Sequence, residues 1–78
     1  MDVITGQYNT ATGAHSLENT TGGLNTAVGY GAGDALTSGT KNVYIGHDAE
    51  ASAGNVQNEV AIGQGVTGAG SNLSLIHI

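Results

Sequence analysis

Four groups of residues are candidates for chemistry by their identity and position. His15-Ser16 with Glu18 puts an imidazole, a hydroxyl and a carboxylate within four positions, the parts of an activated serine nucleophile. Such a relay needs the hydroxyl and the ring to face each other, and neighbours in extended backbone point to opposite sides. His47, Asp48 and Glu50 are residue types that ligate a divalent metal, but they diverge in the same way, and no second cluster supplies further ligands. Gly29-x-Gly31-x-Gly33 suggests a phosphate-cradling loop. The dinucleotide fingerprint has a different spacing and opens a helix whose amides face the phosphate, so these glycines read as corners. A calcium-binding β-roll would place an aspartate in each glycine-rich turn, where this chain has His15, Gly31, Asp48 and Gly65. Tyr8, Tyr30 and Tyr44 fit either a carbohydrate-stacking strip or packing between copies of the chain. No catalytic, cofactor-binding or metal-ligating residue is assigned, and the chain is expected to be non-enzymatic, with no cofactor.

All these residues lie inside an internal repeat. Asn9-Thr10-Ala11-Thr12-Gly13, Asn25-Thr26-Ala27-Val28-Gly29, Asn42-Val43-Tyr44-Ile45-Gly46 and Glu59-Val60-Ala61-Ile62-Gly63 recur at intervals of 16 to 17 residues. A turn-forming block precedes each: Thr5-Gly6-Gln7-Tyr8, Thr21-Gly22-Gly23-Leu24, Ser38-Gly39-Thr40-Lys41 and the looser Gly54-Asn55-Val56-Gln57. Three places after each strand-ending glycine stands a small or apolar residue: Ser16, Ala32, Ala49 and Val66.

Within each block β-branched residues alternate with Ala11, Ala27, Tyr44 or Ala61, the period-two signal of a half-buried strand. Short strands with corners at this period predict an all-β fold, a parallel β-solenoid or β-roll whose coils stack about 4.8 Å apart. Val28, Ile45 and Ile62 are expected to form the interior ladder, with Ser16, Ala32, Ala49 and Val66 beside it. No segment offers the roughly 10 residues of amphipathic helix that a βαβ crossover needs. Gly33-Asp34-Ala35-Leu36 has room for a single helical turn.

Composition narrows the function classes. A chain of 78 residues buries only about 60% of its unfolded surface, and this one has no cysteine, proline, tryptophan or phenylalanine to reinforce it, against 14 glycines. The net charge of −5, with Lys41 as the single cation among Lys and Arg, argues against nucleic acid or an anionic membrane as partner. No stretch approaches the roughly 18 apolar residues of a membrane span, so no membrane insertion is expected.

Asn25 to Gly33, with its Thr-Gly-x-x-Asn prefix, resembles the repeats of tail-fibre-like proteins that often end in an endosialidase-type intramolecular chaperone domain. Glu59 to Gly65 resembles the head repeat of YadA-like trimeric autotransporter adhesins, and the likeness extends from Thr5 to Asn72. It implies a homotrimer of parallel β-rolls, left-handed in the adhesin heads, in an extracellular, cell-surface or virion fibre. Thr12 and Glu59 depart from the pattern, standing where an aliphatic residue and an asparagine are usual, and no chaperone segment from which a catalytic residue could be carried over is present.

Residues 1–72 are therefore read as the β-roll segment, a fragment of about four coils. Leu73-Ser74-Leu75-Ile76-His77-Ile78 loses the glycine register and resembles the in-frame translation of a sequencing-library transposon adaptor. Residues 73–78 are thus read as non-native, expected at most to pair loosely along the last rung. The expected function is a structural or adhesive fibre segment that binds a cell-surface receptor or glycan. The alternative is an ice-binding β-solenoid, for which Thr10 and Thr26 fit a threonine column that Val43 and Val60 interrupt.

Overall fold

In each repeat the alternating triplet before the glycine is a strand. In the computed structural model, which describes residues 7–76, these are β1 (Thr10–Thr12), β2 (Thr26–Val28), β3 (Val43–Ile45) and β4 (Val60–Ile62), joined by β5 (Ser74–Ile76). Thr5, Gly6, His77 and Ile78 lie outside the described residues. The five strands form one parallel sheet in the order β1-β2-β3-β4-β5, each paired with the next at offsets of 16, 17, 17 and 14 residues. The fold is a β-solenoid of about four turns, with no helix among the described residues. Gly33-Asp34-Ala35-Leu36 is a hydrogen-bonded turn in which the Leu36 N–H donates to the Gly33 carbonyl.

The glycine closing each strand is fixed by two demands at once. Gly29 and Gly46 have φ of 126° and 129°, a region that side-chain-bearing residues avoid. A Cβ on either would also sit under 3 Å from the carbonyl of the equivalent glycine in the next coil. Backbone therefore stacks on backbone at this corner.

A second column holds the coils from inside. The main-chain N–H of Asn25 donates to Asn9 Oδ1 (2.9 Å), that of Asn42 to Asn25 Oδ1 (3.0 Å) and that of Glu59 to Asn42 Oδ1 (2.8 Å). The Nδ2 of each asparagine donates across the coil, to the carbonyls of Gly22, Gly39 and Val56 in turn. Each amide thus satisfies one donor and one acceptor that would otherwise be buried unpaired.

The facing of the strands overturns the expected ladder. Ala27, Tyr44 and Ala61 point inward and are fully buried, while Val28 and Ile45 point outward and are 40% and 38% exposed. Ser16, Ala32, Ala49 and Val66 do lie inside, joined by Leu17, Leu36, Ala51 and Val56. The coil is too thin to take a β-branched ladder as well as these residues, so alanine occupies the strand side and the larger aliphatics go outside. Tyr44 is the large exception to the inward alanines.

The tail also differs from expectation. Ser74, Leu75 and Ile76 pair with Val60, Ala61 and Ile62 in full register rather than loosely. The last rung needs only a backbone of extended shape, not a glycine corner. The pairing leaves the side chains exposed, with Ile76 at 58%.

Candidate functional site

Two columns of side chains cover the outer face of the sheet. Thr10, Thr26, Val43, Val60 and Ser74 form one; Thr12, Val28, Ile45, Ile62 and Ile76 form the other, each residue aligned with its counterpart in the next coil. None of the strand residues in either column is ionisable. The face is therefore uncharged and regular at the spacing of the coils, hydroxyl-bearing at Thr10, Thr12 and Thr26 and aliphatic over β3 and β4.

Beyond the glycine corner lies a polar edge. The His15 and Tyr30 rings meet edge to face at 5.4 Å, and Tyr30 and His47 stack at 5.4 Å with 22° between their planes. His15 Nδ1 lies 2.7 Å from Glu18 Oε2, and His47 Nδ1 lies 3.6 Å from Asp48 Oδ2. Tyr30 thus lies between two imidazoles, stacked on His47 and in edge contact with His15, and stays half exposed. Tyr44 is inside the coil and Tyr8 is 80% exposed at a turn, so the three tyrosines do not form a common strip.

Ser16 does not join His15 and Glu18. It is buried, and its Oγ–H donates to the Gly29 carbonyl at 2.6 Å with the Thr12 carbonyl also within reach at 3.0 Å, which occupies the hydroxyl in coil stacking. His47 and Asp48 approach each other, but no set of three or more histidines, cysteines and carboxylates converges as a metal site among the described residues. Nor do the described residues enclose a pocket. Gly31 and Gly33 both have φ of 69°, serving as left-handed corner residues.

Two carboxylate arrangements were not visible in the sequence. Glu50 Oε1 accepts from the Ala35 N–H at 3.1 Å, and the Glu50 carboxyl lies beside that of Asp34 in the preceding coil, a neighbour that disfavours the charged form of Glu50. Burial, the contact with Asp34 and the charges of Asp34 and Asp48 outweigh the Ala35 amide and push Glu50 up to about 7. The second arrangement is interior. Glu59 Oε1 accepts from Tyr44 Oη (2.8 Å) and the Ser52 N–H (3.2 Å), while Oε2 accepts from Ser52 Oγ (2.6 Å) and the Gly70 N–H (2.8 Å). Burial acts to raise this carboxyl, but the bonds from Ser52, Tyr44 and Gly70 prevail and hold it below the usual carboxylate range. Burial, then the bond to Glu59 and the charges of Glu59 and Glu50, push the Tyr44 phenol far above its ordinary range. The signal available beforehand was Glu59 in an asparagine column; its partners lie 7 to 15 residues away, beyond the reach of any local pattern.

Searches against protein families, curated proteins and solved structures give no match to this chain.

Proposed function

We propose that this chain is a non-enzymatic structural and adhesive segment of an extracellular or virion fibre, assembled as a homotrimer through the outer face of its sheet. The observation that carries the reading is the outward Val28-Ile45-Ile62 column. Large aliphatics face out while alanines face in, and that distribution suits a surface covered by another chain. The face repeats at the coil spacing, so a partner matching every rung must share that spacing, as a second copy does. Length and stiffness come from the parallel backbone ladder and the asparagine column, which need no enzyme chemistry.

Receptor contact in this reading falls to exposed corners such as Gly46-His47-Asp48-Ala49-Glu50. The ice-binding alternative needs threonine at both outward positions of successive coils. Only Thr10 and Thr12 satisfy this; Thr26 stands with Val28, and β3 and β4 present valine and isoleucine. Electron microscopy of the full-length product tests the proposal: fibres with trimeric mass by sedimentation are expected, and compact monomeric particles would overturn it.

A further inference from the structure

We infer that Tyr44 and Glu59 form an interior lock between the third and fourth coils, closed while Glu59 is ionised and released in acid. Each residue is the exception in its own column. Tyr44 stands where β1, β2 and β4 present Ala11, Ala27 and Ala61, and Glu59 stands where the preceding rungs of the ladder have Asn9, Asn25 and Asn42. The two exceptions touch, Tyr44 Oη donating to Glu59 Oε1 at 2.8 Å.

A carboxylate is suited to this position because every group around it donates. Tyr44 Oη, the Ser52 N–H and Oγ, and the Gly70 N–H all direct hydrogens at its two oxygens. These donors come from β3, from the far side of the third coil and from the far side of the fourth, so one side chain fastens three segments. The chain also closes directly over it: a Cβ on Gly68 would collide with the Glu59 carboxyl and push it off its donors. With Glu59 fully buried, water cannot replace a lost partner without the coil opening.

Protonation removes the charge that strengthens all four bonds, roughly halving each. The tyrosine and serine hydroxyls can rotate to accommodate the new hydrogen, but the two main-chain amides remain fixed on a neutral acid. The titratable groups facing the lock are Tyr44, which stays neutral throughout, and Glu50 beyond it. Glu50 takes up its proton at about 7, before Glu59 does, so its charge is gone when the lock titrates. A carboxyl held below its usual range contributes stability that is present above that range and is lost as the pH falls through the folded value.

The test compares wild type and Glu59→Gln by thermal melting of the assembled full-length chain, from neutrality down through the carboxylate range. Wild type is expected to melt higher by about 4 °C or more near neutrality, with the gap closing as Glu59 protonates. A gap that is the same at every pH overturns the inference. Should Glu59→Gln fail to fold, hydrogen exchange on wild type decides. Corrected for intrinsic rates, the Ser52 and Gly70 amides should lose protection in acid while the Val43 and Gly46 amides, bonded to main-chain carbonyls, retain theirs. Equal retention by all four overturns it.

Discussion

The residue preceding each rung of the asparagine column sits in the left-handed region: Tyr8, Leu24, Lys41, Asn58 and Asn72 have φ between 56° and 64°. Asparagine tolerates that conformation, because its short amide bonds locally, whereas leucine is strained by about 1 to 2 kcal/mol. Leu24 is half-exposed, so little packing is lost on replacing it. Leu24→Asn is accordingly expected to stabilise the chain by about 1 kcal/mol, read as a rise in melting temperature; a fall would show that the leucine makes a contact that outweighs its strain. The regularity of this column was hidden in the sequence, because three of its five members are residue types that do not announce a positive φ.

At the scale of the coil, hydrogen bonds between successive turns decide stability. Asn25 is completely buried, accepts from both the main chain and Nδ2 of Asn42, and donates to the Gly39 carbonyl. Asn25→Ala strands these partners without water and is expected to cost about 3 kcal/mol, measured by denaturant unfolding; a loss below about 1 kcal/mol would mean the column is ornamental. The Asp34–Glu50 contact acts in the opposite sense with pH to the interior lock. Because Glu50 binds its proton more tightly folded than unfolded, its contribution is fully present below the ordinary carboxylate value of 4.5 and is lost as the pH rises through about 7. Melting temperature should fall over that interval, and Glu50→Gln should flatten the fall; an unchanged slope would place its origin elsewhere. The strands, the spacing of the coils and the inner Ser16-Ala32-Ala49-Val66 column were legible in the sequence, since alternation and glycine spacing are local. Which face of each strand is interior was not. Alternation separates two faces without saying which is covered, and Val28, Ile45 and Ile62 suit an interface between chains as well as a core.

For the molecule as a whole, the proposed assembly through the outward aliphatics would tie stability to concentration. Anything that binds the folded chain and not the unfolded one raises the melting temperature with concentration. The chain should therefore melt at higher temperature as its concentration increases, and Ile45→Asp should abolish that dependence. Ile45 lies on the outer face, so an isolated coil accommodates the new carboxylate in water, whereas Ala27→Asp buries a charge without a partner and should cost several kcal/mol in any state. Sedimentation and melting of the two variants distinguish these effects; equal damage to folding from both would mean that the outer column carries the fold itself. The apolar strands β4 and β5 bear on the same point, since the exposed Leu75 and Ile76 extend the outer and end surfaces that invite association.

The unequal offsets between strands, 16, 17, 17 and 14 residues, leave the pairing register intact. Fixed contacts sit at the strand, its glycine and the asparagine column, so slack is absorbed on the far side of the coil. A gene built this way tolerates unequal crossing-over, because a cut and rejoining at equivalent points of two coils restores the same rung. Reach can then be inherited in steps of about 4.8 Å per coil, with recombination setting the length and no new contact having to be invented.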